Sequence, residues 1–147
     1  QLKTMNLPYL PMLGHNGLLG HYYRNLFHIV KYISSINDRL ISEEQKYDYA
    51  KLLRAQLSDC EQMLLFYNSI SDMGKDWNTP NTLSPNMPQH KMGYIARYLL
   101  IKNIPFNIPM FGTLPQVKYE KEINTWKTIL KNNFFEQAYL PSRLDGI

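Results

Sequence analysis

The segment from Tyr47 to Asn68 carries an apolar pattern that fits only one kind of regular structure. Its apolar side chains recur at intervals of three and four residues, at Ala50, Leu53, Leu57, Cys60, Leu64 and Tyr67. This spacing puts them on one face of an α-helix, whereas a half-buried strand needs alternation at every second residue. The pattern predicts a helix that begins near Glu43, runs to about Ser71 and holds Cys60 in the core.

A segment with the same spacing precedes it and predicts a helix from about Leu18 to Ile36. Asn37 and Asp38 are typical of a helix end, and Ser42 followed by Gln45 is a capping-box pattern that starts the next helix. Because the link is short, we expect the two helices to form a long antiparallel hairpin with their apolar faces in contact.

The remaining sequence predicts two further helices packed against the hairpin, at about 89–103 and 117–132, separated by prolines that exclude a regular helix. Residues 1–17 predict an ordered arm, and residues 74–88 predict a polar surface loop that Trp77 pins to the body. A length of 147 residues suits one domain. We therefore expect residues 1–147 to form a single all-α domain.

The composition restricts the class of protein further. Apolar residues make up 44% of the chain and aromatic residues 13%, which suffices for a packed core and argues against disorder. The net charge of +4 permits an RNA partner without requiring one. A single cysteine excludes a disulfide within the chain and suits the reducing cytosol, and no zinc-binding spacing of Cys and His occurs. We expect no metal and no cofactor.

The hydrophobic runs are too short for a membrane span. No stretch of 18 apolar residues and no signal peptide are visible, so we expect a cytoplasmic chain with no membrane contact of its own. The chain starts at Gln1 rather than Met, and we expect it to be a fragment of a longer protein.

A cationic face runs along the first predicted helix, pointing away from the apolar stripe and consisting of His21, Arg24, His28 and Lys31. Such a face can hold phosphates, with His as proton donor or acceptor. One interpretation is an RNA- or nucleotide-binding face or a ribonuclease site, with His21, Arg24 and His28 catalytic and Lys31 binding. The other is a solvated or partner-facing helix side. Helical ribonuclease toxins of the HEPN type have four to six residues between Arg and His, whereas three separate Arg24 from His28.

A polar line flanks the apolar face of the second predicted helix. Arg54, Glu61 and Asn68 recur at every seventh residue, with Ser58 between the first two. These side chains form either a buried network that reaches His or Tyr side chains of the first helix, or a site. In a site, Glu61 would act as a base and Arg54 would clamp an anion.

Three stretches carry a resemblance to a known family: GHYYRNLFHIVKYI at 20–33, YAKLLRAQLSDCEQMLLFYNSIS at 49–71 and YLLIKNIP at 98–105. Together they resemble the phage abortive infection family of bacteria, the AbiC-like group. The positions that carry the resemblance are His21, Tyr22, Tyr23, Arg24, Leu26, Arg54, Ala55, Gln56, Leu57, Ser58, Glu61, Tyr67 and Asn68.

The resemblance implies a role in antiphage defence, in which the helical domain senses or binds a phage- or host-derived trigger. It carries no catalytic assignment. It also implies hydrophobic segments ahead of this region, in which case the parent protein would be tethered to a membrane. Two alternatives stay open: a metal-independent ribonuclease that cleaves RNA through His21, Arg24 and His28, and a structural module that forms homo-oligomers.

Overall fold

The computed structural model describes residues 16–80, 87–106, 110 and 112–136. Over these residues the chain is all-α, as predicted, and contains no strand. The helices are α1 (Asn16–Ser35), α2 (Glu43–Arg54), α3 (Asp59–Ile70), α4 (Tyr94–Arg97), α5 (Pro115–Lys118) and α6 (Glu120–Thr128), with 3-10 turns at Lys75–Asn78 and Pro88–Lys91. Most of the predicted arm at 1–17 lies outside the described residues, and the single-domain organisation stays a prediction.

The connection between α1 and α2 follows the sequence pattern. Ser42 Oγ accepts a hydrogen bond from Gln45 N at 3.3 Å, and Gln45 Oε1 accepts one from Ser42 N at 2.9 Å. This reciprocal capping box satisfies two backbone N–H groups at the start of α2. The predicted start of the second helix is therefore confirmed, and α1 and α2 contact each other.

The prediction of one continuous helix from Glu43 to Ser71 is wrong, because the chain contains a second capping box at Ser58. Ser58 Oγ accepts a hydrogen bond from Glu61 N at 3.2 Å, and Glu61 Oε2 accepts one from Ser58 N at 2.8 Å. α2 therefore ends at Arg54 and α3 begins at Asp59. Cys60, predicted in the core, is exposed in the first turn of α3. The predicted long antiparallel hairpin is not confirmed, and its second helix is divided into α2 and α3.

The third predicted helix, at 89–103, is also wrong in extent, since only the turn Pro88–Lys91 and the short α4 form there. All side chains from Met92 to Ile101 are buried, so no polar face marks a helix. Leu99 has a φ of 51°, which lies in the left-handed region and interrupts helical geometry. The fourth predicted helix is divided into α5 and α6, and it ends at Thr128 rather than near Asn132.

The segment that starts at α4 forms the centre of the core. Ile95, Leu99, Ile101 and Ile104 have no exposed surface, and α1, α2, α3 and α6 contribute buried side chains around them, among them Val30, Ala50, Leu65 and Trp126. The Trp126 indole N–H donates to the Ala96 carbonyl at 2.8 Å. This core also includes buried side chains of α1, of α3 and of the turn Lys75–Asn78, and it therefore fixes the positions of these three elements.

Gly93 brings the turn Lys75–Asn78 into direct contact with α4. A Cβ at this position would lie 2.5 Å from the Asn78 Cα, so only glycine permits this approach of the two backbones. Trp77, at 2% exposure, is buried beside it, which confirms that this residue anchors the segment after α3. No helix within the described ranges combines the length and the apolarity needed to cross a bilayer.

Candidate functional site

An open cavity of about 330 Å³ lies between α1 and the chain that follows α3, and we call it the α1 cleft. One wall is a single flank of α1, and the other wall comes from the end of α3 and the turn Lys75–Asn78. The lining residues are Gly20, Tyr23, Arg24, Phe27, His28, Lys31, Asn68, Met73, Gly74, Asp76 and Trp77. The cleft therefore combines segments that are more than 30 residues apart in sequence.

The lining of the α1 cleft changes from aromatic to charged with increasing exposure. Tyr23 and Trp77 are buried, and Phe27 is half-buried with its ring edge-on to Trp77 at 5.1 Å between ring centroids. Arg24 and Lys31 are exposed. The cleft therefore has an aromatic floor and a charged rim, and this combination can bind a ligand that has both an apolar and an ionic part.

The charged side chains of the rim are not used by the fold. Among the described residues, no hydrogen bond or ion pair involves the side chains of Arg24, Lys31 or Asp76. The His28 ring makes an edge-on contact with Phe27 at 5.8 Å. Two fixed cations and an imidazole on α1 thus face a cleft whose other wall carries one carboxylate, which gives a mainly but not wholly basic rim.

Glycine allows the second wall to fold back over the end of α3. A Cβ on Gly74 would collide with the backbone carbonyl of Asn68, so no other residue fits there without a shift. The Asn68 carbonyl also accepts hydrogen bonds from the Ser71 backbone N–H at 3.1 Å and from Ser71 Oγ at 2.7 Å. The start of this wall is therefore tightly constrained.

The far end of the same wall is held by Asn78. Its Nδ2 donates to the Ser69 carbonyl at 3.0 Å, and its Oδ1 accepts a hydrogen bond from the Tyr119 hydroxyl at 2.6 Å. Burial raises the pKa of Tyr119 to about 12. The hydroxyl consequently keeps its proton at neutral pH and remains a donor. These two hydrogen bonds hold the far end of the wall against α3 and Tyr119.

The structure brings four of the predicted site residues together, since Arg24, His28, Lys31 and Asn68 all line the α1 cleft. The first three follow from helical spacing on α1. Asn68 joins them from the end of α3, on the opposite wall. His21 is exposed on α1 but is not among the lining residues, so the predicted group of His21, Arg24 and His28 does not converge on this cavity.

The other predicted residues act in the fold. Arg54 is buried, at 7% exposure, and its Nη1 donates to the Leu99 carbonyl at 2.9 Å. Ser58 and Glu61 form the cap of α3, and the hydrogen bonds from Ser58 hold the pKa of the Glu61 carboxyl below its ordinary value. Because α2 ends at Arg54 and α3 begins at Asp59, the predicted line of Arg54, Glu61 and Asn68 does not lie along one helix.

Glu61 contacts α1 through its backbone carbonyl and through Tyr22, and the predicted buried side-chain network stays a prediction. The Tyr23 hydroxyl donates to the Glu61 carbonyl at 3.3 Å. Burial, followed by the charge of Glu61 and its hydrogen bond, raises the pKa of the Tyr22 hydroxyl. Arg54, in contrast, binds the Leu99 backbone rather than a side chain of α1.

Sequence reasoning missed a buried ionic cluster formed by Glu43, His90 and Arg97. Arg97 makes two hydrogen bonds with Glu43, and His90 Nε2 lies 3.3 Å from Glu43 Oε2. A separate buried Lys46 donates to Asp38 at 2.6 Å and to the Ser34 carbonyl at 3.3 Å. None of these residues lines the α1 cleft. Their partners lie up to 54 residues apart, so no local pattern could have indicated them.

Asp76, Met73 and Gly74 are the cleft residues that no sequence pattern indicated. They follow α3 in a polar segment without periodicity, and only the buried Trp77 marked this segment as attached to the body. Over the described ranges, His, Cys, Asp and Glu form no group of three or more that could hold a metal ion.

Comparison with known proteins identifies the family. A sequence model described as "Putative phage abortive infection protein" matches residues 14–108. This match covers well over half of the 147 residues and includes α1 to α4. The chain belongs to this family. All residues that line the α1 cleft fall inside the matched region. No curated protein and no solved structure matches the chain.

Proposed function

We propose that this chain acts in the cytoplasm as the interaction domain of a phage abortive infection protein, and that the α1 cleft binds the phage- or host-derived trigger. The observation that carries the proposal is that Arg24 and Lys31, two cations with no ionic partner among the described residues, lie on the rim of a cavity inside the family-matched region. Binding of the trigger there would connect infection to the response of the full-length protein.

The contrast with the other ionic residues supports this choice. Buried Arg54, Lys46 and Arg97 each have a partner within the protein, and replacing any of them would disturb folding. Arg24 and Lys31 are exposed. On a flat surface such side chains would need no further explanation, because water solvates their charge. Beside a concave aromatic floor, however, they provide the few convergent polar groups that orient a ligand.

Phage plating tests the proposal. Cells that express the full-length protein should plate phage less efficiently than cells with an empty vector, and the double variant Arg24→Glu/Lys31→Glu should remove that protection. Unchanged plating between the empty vector and the wild type, for all phages in a diverse panel, would reject the defence role.

A ribonuclease is the second candidate, and one observation favours it: Arg24 and His28 line the same cavity, one turn apart on α1. His28 would take a proton from the ribose 2′-hydroxyl, whose oxygen would attack the phosphorus and form a 2′,3′-cyclic phosphate. The bond from phosphorus to the 5′-oxygen would break, the leaving 5′-oxygen would take a proton from water, and Arg24 would stabilise the developing charge on phosphate. This hypothesis predicts RNA fragments and growth arrest on expression of the wild type, both absent in His28→Ala. Intact RNA in wild-type cells during infection would leave the binding role.

The homo-oligomer alternative draws on apolar side chains exposed on α1 and α2. Ile29 is 46% exposed, Tyr32 70% and Leu52 66%. Such side chains can pack against a second copy of the chain. Light scattering on the purified chain distinguishes the cases, because a dimer that dissociates in Tyr32→Lys supports assembly, whereas a monomeric wild type rejects it.

A further inference from the structure

We propose that the ligand of the α1 cleft is a nucleoside monophosphate, bound with its phosphate on the α1 rim and its base over the aromatic floor, with guanine preferred. The inference rests on the proposed function, since it names the ligand class for the same cleft. It derives from the charge pattern of the rim, the nature of the floor and the size of the cavity.

The phosphate end is defined by α1. Arg24, His28 and Lys31 follow one another at intervals of four and three residues, so they lie on one flank within about 10 Å along the helix. A guanidinium group binds phosphate through two parallel hydrogen bonds, and an ammonium group adds a point charge. Because Arg24 and Lys31 have no ionic partner among the described residues, a phosphate does not have to displace one.

The opposite wall argues against a simple anion. The Asp76 carboxylate can only accept hydrogen bonds, and it would repel inorganic phosphate. The interaction with Asp76 becomes favourable when the ligand also has N–H groups that donate to this carboxylate. The Asn68 side chain, which lines the same cleft, can both donate and accept hydrogen bonds. The rim therefore selects a molecule that is anionic at one end and a hydrogen-bond donor at the other.

A nucleotide has these two ends joined by a flat aromatic ring system. The half-buried Phe27 supplies an apolar surface for the base, and the buried Trp77 supports the Phe27 ring through an edge-on contact at 5.1 Å. Guanine presents a ring N–H and an amino group side by side, which match the two oxygens of one carboxylate. Adenine and cytosine offer an amino group next to an acceptor, and uracil offers no amino group. The expected order of affinity is GMP first and UMP last.

The cavity volume favours a single nucleotide. At about 330 Å³ the α1 cleft lies at the lower end of the range of ligand cavities, which is on the order of 300–1,000 Å³. A long RNA strand would need a groove that continues past the cleft. A longer RNA is therefore an alternative outcome of the test and not part of the proposal.

Isothermal titration calorimetry on the purified chain tests the inference with GMP, AMP, CMP, UMP, inorganic phosphate and a ten-nucleotide RNA as probes. We expect saturable binding of GMP that weakens with added salt, and weaker binding of UMP and inorganic phosphate. Equal affinity for GMP and inorganic phosphate would overturn the inference, as would the absence of binding. Much tighter binding of the RNA than of GMP would also overturn it and would indicate a polynucleotide site.

Three variants locate the binding. Arg24→Glu/Lys31→Glu should lower GMP affinity on the order of tenfold or more, whereas Lys51→Glu, on the exposed side of α2, should have little effect. Asp76→Asn should reduce the preference for GMP over UMP and should not weaken phosphate binding. An unchanged GMP-to-UMP ratio in Asp76→Asn would reject the base assignment. Circular dichroism with unfolding midpoints confirms that each variant is folded.

The two proposals fail separately. If no nucleotide binds but phage protection still requires Arg24 and Lys31, the nucleotide inference is wrong and the interaction domain stands. If GMP binds in the α1 cleft but protection does not depend on these residues, the proposed function is wrong. If no nucleotide binds and protection does not depend on Arg24 and Lys31, the α1 cleft is rejected as a site.

Discussion

Arg97 donates two hydrogen bonds to Glu43, from Nε to Oε1 and from Nη2 to Oε2, and both are 2.7 Å long. The pair joins α4 to the first turn of α2, and the two side chains are only 5% and 8% exposed. Each charge compensates the other inside the protein, where an unpaired ion is strongly unfavourable. This ion pair holds the central segment against α2.

Loss of one partner should therefore destabilise the fold strongly. We expect Glu43→Gln to lower the free energy of unfolding by about 3–5 kcal/mol, because it leaves the Arg97 charge uncompensated. Glu44→Gln is the matched control, since Glu44 is exposed in the same helical turn and carries the same charge. Urea denaturation measures both. Equal losses for the two variants would contradict a structural role of the pair.

Arg54 should behave as a core residue and not as a ligand-binding residue. Arg54→Ala removes the hydrogen bond to the Leu99 carbonyl and should lower the free energy of unfolding by about 2–3 kcal/mol. Lys51→Ala, at an exposed position one turn earlier, should change it by about 0.5 kcal/mol or less. In cells, Arg54→Ala should reduce the amount of protein, which immunoblotting detects. Normal abundance with lost protection would assign Arg54 a direct role.

Two glycine-to-alanine substitutions should change the free energy of unfolding in opposite directions. At Gly93 the added Cβ would lie 2.5 Å from the Asn78 backbone, so Gly93→Ala should destabilise by about 1–3 kcal/mol. At Gly20, inside α1, nothing lies within 4 Å, so Gly20→Ala should stabilise by about 0.5–1 kcal/mol. The thermal unfolding midpoints of the two variants, compared with that of the wild type, measure both changes. A stable Gly93→Ala protein would show that the turn and α4 do not approach so closely.

Acid should weaken the fold through Asp38 and Glu61. A hydrogen bond from Lys46 lowers the pKa of Asp38 below 3.8, and hydrogen bonds from Ser58 lower that of Glu61 below 4.5. Because both folded-state pKa values lie below the unfolded ones, their stabilisation is complete above the unfolded values and disappears as the pH falls through the folded ones. We expect the unfolding midpoint to drop between about pH 5 and pH 3, and to drop less in Asp38→Asn. An unchanged slope in that variant would refute the contribution.

The sequence predicts elements wherever the signal is local. The spacing of α1 places Arg24, His28 and Lys31 on one flank, and Ser42 with Gln45 marks the start of α2. The same capping signature at Ser58 and Glu61 does not predict a new helix start, because apolar residues continue at helical intervals on both sides of the link between α2 and α3. Local hydrogen bonding at Ser58 outweighs the periodicity there.

The remaining features depend on tertiary contacts that no local pattern encodes. Residues 92–101 are buried on every side, so their sequence shows no polar face that would distinguish a helix from an irregular segment. The second wall of the α1 cleft requires Gly74 to fold against Asn68 and Gly93 to admit Asn78. Half of the candidate site, the α1 flank, is therefore predictable, whereas Asp76 opposite it is not.

The most direct test of the central claim is the plating efficiency of a phage that the wild-type protein restricts. It compares full-length wild type, Arg24→Glu/Lys31→Glu and Lys51→Glu at equal abundance and equal unfolding midpoint. If the α1 cleft is the site through which this family member responds to infection, the double variant plates phage as the empty vector does, while Lys51→Glu protects as the wild type does. Full protection by Arg24→Glu/Lys31→Glu would contradict the account.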